Sequence, residues 1–140
     1  MTKRSIQSFL LSLFFFCTAP AMAQDSSIAL NEKVSAAGQM TADKFTLLLK
    51  QQGFKSVIVN RPDQEQGNSV TVGQLRSIAE KAQVSVIYQP VTGGKVSQTD
   101  VAEFAKYYNE LPKPILMVCR SGARSSALFN QAKAQGLLNE

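Results

Sequence analysis

Histidine is absent from this 140-residue chain, and its absence removes whole classes of chemistry. Ser-His-Asp and Cys-His systems both need an imidazole to take the nucleophile's proton. Cysteine is scarce as well, occurring only at positions 17 and 119. So few cysteines with no histidine cannot build the usual zinc sites, and no metal is expected. No long Lys/Arg run or aromatic-basic stripe is present, so the formal charge of +5 does not point to nucleic acid. Activation of a cysteine nucleophile therefore falls to backbone N–H groups, arginine or hydroxyl.

The one long apolar run lies near the start and is short for a membrane span. Lys3 and Arg4 precede it, Phe9 to Cys17 form it with a break only at Ser12, and Ala21-Met22-Ala23 follows. This is the pattern of a secretory leader over residues 1–23, with cleavage before Gln24. Phe14-Phe15-Phe16 before Cys17 argues against a lipoprotein site. The expectation is an exported, periplasmic protein with no stable membrane insertion, in which 24–140 form a single domain. Loss of the leader removes Lys3, Arg4 and Cys17, leaving Cys119 as a lone thiol with no internal disulfide available. Such a leftover thiol is either reactive or an intermolecular pairing site.

From Ile28 onward, apolar runs alternate with amphipathic segments. A short strand is expected near Val34, and Thr41 caps a helix to about Gln52 with Gly53 as its stop. Ser56 to Val59 reads as a β-branched strand, followed by a polar loop from Arg61 to Ser69. A helix over about Val72 to Ala82 leads to a strand from Val84 to Tyr88 and a Gly93-Gly94 turn. Ser97 and Asp100 resemble a capping box for a third helix, whose stripe of Val101, Phe104, Ala105 and Tyr108 is core. Pro112 and Pro114 end it, Ile115 to Val118 is a further strand, and a helix runs from Ser126 to Ala134. Strands separated by helices predict an α/β domain of three layers, with a mainly parallel central sheet flanked by helices. Ligands in such sheets bind at the carboxyl ends of the strands. Three loops meet there: Asn60 to Asp63, Pro90 to Gly94, and the run beginning at Cys119.

Cys119-Arg120-Ser121-Gly122-Ala123-Arg124-Ser125 is the most informative stretch. A cysteine between a strand and a helix meets converging N–H groups and the positive end of the helix dipole. Such settings lower a thiol pKa from about 8.5 into roughly the 3.5–7.5 range. Cys119 and Arg124 are the candidate catalytic residues. Arg120, Ser121, Gly122, Ala123 and Ser125 are candidates to bind the anionic substrate. Arg120 reads equally well as a surface arginine, and Ser125 as either a helix cap or a donor to the thiolate. Arg61 and Asp63 are possible accessory groups, or no more than a salt bridge about the turn at Pro62.

Two resemblances follow from these residues. The Cys-Arg-x-Gly-x-Arg pattern resembles the active loop of rhodanese sulfurtransferases, in which a cysteine persulfide is cradled by amides and arginines. Tyrosine-phosphatase loops place five residues between cysteine and arginine, whereas four separate Cys119 from Arg124. Over a longer span, Ser35-Ala36-Ala37-Gly38-Gln39, Asn60-Arg61-Pro62-Asp63, Pro90-Val91-Thr92-Gly93-Gly94 and the cysteine run resemble the beta-lactamase hydrolase-like proteins, specifically their phosphatase-like domain. That resemblance implies a tyrosine/dual-specificity-phosphatase-like fold carrying sulfurtransferase chemistry, and in some relatives a joined metallo-hydrolase module. It also implies a separate persulfide-metabolising or redox partner for this chain.

A phosphatase needs an acid for its leaving oxygen, usually on the loop after the preceding strand. Pro90 to Gly94 holds no carboxylate, which leaves Asp63 as the nearby candidate. The leading expectation is thus an exported sulfurtransferase passing sulfane sulfur through a Cys119 persulfide. Its partners would be a small anionic sulfur donor and a thiol acceptor, with no cofactor. A cysteine-dependent phosphatase acting on a phosphomonoester through phosphocysteine is the first alternative. A non-catalytic module that binds anions or persulfides is the second.

Overall fold

The computed structural model describes residues 27–140, so the expected leader and its cleavage point lie outside the described residues. Five strands form one sheet in the order β1-β2-β5-β3-β4: β1 (Ser27–Ala29), β2 (Val34–Ala37), β3 (Ser56–Val59), β4 (Ser85–Tyr88) and β5 (Ile115–Val118). All pairings are parallel except β1 with β2, which run antiparallel. The sheet is therefore mainly parallel, as expected, with one short edge strand that the sequence pattern did not reveal. The helices are α1 (Ala42–Gln52), α2 (Val72–Lys81), α3 (Gln98–Glu110) and α4 (Ala123–Ala134).

The period-2 alternation of the central strands builds a core on each face. Val57 and Val59 of β3, with Leu116 and Val118 of β5, pack against Phe45, Leu48 and Leu49 of α1 and Leu75 and Ala79 of α2. Ile58, Ile115 and Met117 point the other way, onto Val101, Phe104 and Tyr108 of α3 and Leu128, Phe129 and Ala132 of α4. Both faces of β3 and β5 are covered, which explains why these strands read as continuous apolar runs.

Three helices start on side-chain caps. The hydroxyl of Thr41 accepts from the Lys44 N–H, and Thr71/Gln74 and Ser97/Asp100 both form capping boxes. α4 differs: its N-cap is Gly122 at φ 91°, with no side-chain cap. This helix begins at Ala123, three residues earlier than expected, so Arg124 and Ser125 belong to its first turn. The amides at its start are left to serve the cysteine loop.

Because Phe104 is fully buried between β3, β5 and α4, Phe104→Ala is expected to cost about 3–5 kcal/mol, read as a lower urea midpoint. Ile28→Ala, on the exposed edge strand, should leave that midpoint nearly unchanged.

Candidate active site

The cysteine loop leaves β5 at the centre of the sheet and is pinned on both sides. The Cys119 N–H donates to the Ala37 carbonyl at 3.1 Å, and the Gln39 N–H donates to the Arg120 carbonyl at 3.1 Å. On the other side the Asn60 N–H donates to the Val118 carbonyl at 2.7 Å. Gly38 pairs with Ser121 so closely that a Cβ there would lie 3.0 Å from the Arg120 carbonyl oxygen. Glycine at position 38 permits that approach without displacing the Arg120 carbonyl.

Within this frame Cys119 is almost wholly buried, at 1 % exposure. Its sulfur accepts the Gly122 N–H at 2.9 Å. The left-handed backbone of Gly122 turns that amide inward, a conformation side-chain-bearing residues rarely adopt. Burial pushes the thiol pKa up, but hydrogen bonds from the Ser125 N–H and hydroxyl and from the N–H groups of Ser121 and Gly122 outweigh it. The net effect lowers the pKa and favours thiolate.

Ser125 is buried and its hydroxyl also reaches the Asn60 side-chain oxygen at 2.9 Å. The Asn60 amide nitrogen donates to the Gln89 carbonyl at 3.2 Å, which fixes that orientation. One hydroxyl proton thus serves either Asn60 or the sulfur. Ser125 does not cap α4, since that position belongs to Gly122.

Arg124 reaches from the first turn of α4 to the β4–α3 and β3–α2 loops. Its guanidinium donates to the Val91 carbonyl and forms an ion pair with Glu65, both contacts short. Arg120 and Ala123 are exposed, and the Ser121 hydroxyl accepts the Ala123 N–H at 3.4 Å. A cleft of about 590 Å³ opens beside the loop, with Arg120, Ser121, Ala123 and Arg124 on one wall and Gly93, Gly94, Lys95 and Val96 on another. Glu65 is the only carboxylate lining it among the described residues.

Arg61 and Asp63 sit elsewhere. Arg61 is fully buried, donating to the Val70 carbonyl at 2.7 Å, with Asp63 at 3.6 Å. Its pKa is lowered by burial, with Asp63, Tyr88 and Glu65 opposing that shift. The Asp63 carboxylate accepts the Val72 N–H at 2.9 Å at the start of α2, and its own N–H donates to the Tyr88 hydroxyl at 3.0 Å. Both residues organise the β3–α2 loop and neither lines the cleft. In place of Asp63 as the nearby acid, the structure offers Glu65, two residues further along. Nothing in the sequence pattern singles out Glu65 from the other polar residues of that loop.

Residues 24–136 match the family described as beta-lactamase hydrolase-like protein, phosphatase-like domain. The chain belongs to this family. A beta-lactamase hydrolase-like protein of Agrobacterium fabrum is 31% identical over 103 residues, covering 74% of this chain and 24% of that protein. The chain therefore spans about a quarter of the length of the curated relatives it matches. Among solved structures, a candidate phosphatase from Neisseria meningitidis is 30% identical with a TM-score of 0.72, covering 78% of this chain and 77% of that one. The core catalytic domain of the PP-IP phosphatase SIW14 from S. cerevisiae has a TM-score of 0.55 at 12% identity, covering 78% of this chain and 74% of that one, a likeness of fold alone. The fold is thus of the tyrosine/dual-specificity phosphatase type. The comparisons favour a phosphatase-like enzyme over the sulfurtransferase expected from the loop pattern.

The lowered thiol pKa keeps Cys119 as thiolate at pH values where an ordinary cysteine is protonated. A titration of thiolate ultraviolet absorbance, taken as the difference from Cys119→Ser, should give a midpoint below that of free cysteine. Ser125→Ala removes one donor and should move that midpoint upward.

Proposed function

We propose that this chain is a cysteine-dependent phosphatase that hydrolyses a phosphomonoester through a phosphocysteine at Cys119. The observation that carries this reading is a buried sulfur held by amides at the start of a helix, in a domain whose family and neighbours are phosphatase-like. The thiolate attacks phosphorus, a sulfur–phosphorus bond forms, and the bond to the leaving oxygen breaks. Loop amides and Arg124 stabilise the charge on the phosphoryl oxygens. Water then attacks phosphorus, releasing inorganic phosphate and restoring the thiolate.

The leaving oxygen needs a proton, and Glu65 is the carboxyl within the cleft. At rest it is paired with Arg124. A phosphoryl dianion competes for that guanidinium, which releases the Glu65 carboxyl to serve the leaving oxygen as its proton donor.

Persulfide transfer remains the second reading, favoured by two specific observations. Four residues separate Cys119 from Arg124, and the β4–α3 loop carries no acid. Transfer from thiosulfate needs no such acid, because sulfite leaves as a stable anion. Export of the domain, supported by the leader-like pattern of residues 1–23, forms part of the proposal under either chemistry.

Hydrolysis of p-nitrophenyl phosphate should fall to background in Cys119→Ser. Glu65→Gln should slow an alkyl phosphate by about 10²–10⁴-fold, with a much smaller loss on p-nitrophenyl phosphate, whose leaving group needs little protonation. Equal losses on both would make Glu65 a positioning residue for Arg124 only. Absence of aryl phosphate turnover, together with a mass gain of roughly 32 Da after thiosulfate, would replace the phosphatase reading by sulfur transfer.

A further inference from the structure

The cleft beside the cysteine loop carries more unpaired positive charge than a single phosphoryl group engages. Three cations line it: Lys95 from the β4–α3 loop, Arg120 from the cysteine loop and Arg124 from the first turn of α4. Arg124 is already matched by Glu65. Lys95 and Arg120 are exposed, and neither has an ion pair among the described residues. They belong to separate segments, yet both line this one cavity. At about 590 Å³ the cleft falls within the range of small-molecule sites, roughly 300–1,000 Å³, and exceeds what one phosphoryl group fills. Val96 and Ala127 add apolar lining, and Gln131 adds an amide.

We infer that Lys95 and Arg120 form a second anion subsite, and that the substrate is a small organic molecule bearing at least two phosphate groups. One phosphate lies over Cys119 and the other between Lys95 and Arg120. This rests on the phosphatase reading for the position of the first phosphate. Arginine and lysine are the side chains suited to such a group, the former by its fork of donors and the latter as a point charge. Lys95 and Arg120 touch neither the thiol nor Glu65 through any hydrogen bond, so they select the substrate and leave the thiolate unaltered.

The test is calorimetric binding of orthophosphate and pyrophosphate to the Cys119→Ser protein at one fixed ionic strength, where long-range charge effects are screened alike. Pyrophosphate should bind about tenfold or more tightly than orthophosphate, a ratio typical of one added charge-assisted contact. In Lys95→Gln/Arg120→Gln that preference should vanish while orthophosphate affinity changes less than about threefold. Lys81→Gln, at the end of α2 and away from this cleft, lowers the net charge by one and should preserve the preference. A ratio near one, a preference that survives the double substitution, an equal loss in Lys81→Gln, or no binding of either anion would overturn the inference. Failure of the phosphatase reading shows separately, as absence of Cys119-dependent aryl phosphate turnover, which this binding ratio does not measure.

Discussion

The sulfur of a cysteine buried to 1 % exposure holds negative charge only where hydrogen-bond donors converge on it, because burial alone drives a thiol toward its neutral form. In this domain the donors are amides of Ser121, Gly122 and Ser125 with the Ser125 hydroxyl, and no imidazole takes part. Their convergence depends on the path of the chain from β5 into α4. That path is set by the hydrogen bonds to Ala37, Gln39 and Asn60 that hold the loop between β2 and β3. A parallel sheet with its central strand delivering Cys119 is therefore the structural condition for a stabilised thiolate, not a neutral scaffold beneath it. The missing side-chain cap on α4 belongs to the same arrangement, since a capping hydroxyl would compete with the sulfur for those amides.

Arg124 extends the arrangement outward. Its place in the first turn of α4 carries the guanidinium past the loop, where Val91 and Glu65 hold it. A partly buried ion pair is costly to break unless another charge takes the vacated place. In the proposed phosphatase reaction, an anionic substrate supplies such a charge to Arg124, and in doing so frees the carboxyl that phosphoester cleavage requires. Sulfur transfer from thiosulfate has no comparable use for Glu65. The presence of this carboxylate in the cleft thus weighs on the phosphatase side, against the shorter loop spacing on the other.

Much of the fold was legible because local and tertiary signals agree. The β-branched run of β3, the apolar run of β5, the Thr41 and Ser97 helix starts and the Gly53 stop all appear where residue chemistry places them. β1 was not legible, since three residues on an exposed edge carry too little alternation to register. The early start of α4 was hidden for a different reason. Arg120 to Arg124 look like loop by composition, and only the positive φ of Gly122 shows where helix geometry begins. At the site, Cys119 stood out by residue type, spacing and scarcity. Glu65 did not, because its role depends on how a polar loop folds back across the sheet edge, and no periodicity encodes that path.

The same loop explains why Arg61 and Asp63 recur beside the site without entering it. Asp63 ties the loop to the first amide of α2, and Arg61 ties it to the Val70 carbonyl from within the protein. Two Arg61 nitrogens, Nε and Nη1, have no protein hydrogen-bond partner among the described residues, so its charge is balanced by nearby carboxylates more than by direct bonds. Glu65 consequently lies in the field of two guanidiniums, Arg61 inside the protein and Arg124 at the cleft. Only Arg124 is placed to be taken by a ligand. In the proposed phosphatase reaction, the buried Arg61, held by Val70 and Asp63, is the contact that keeps the loop carrying Glu65 in place while Arg124 exchanges partners.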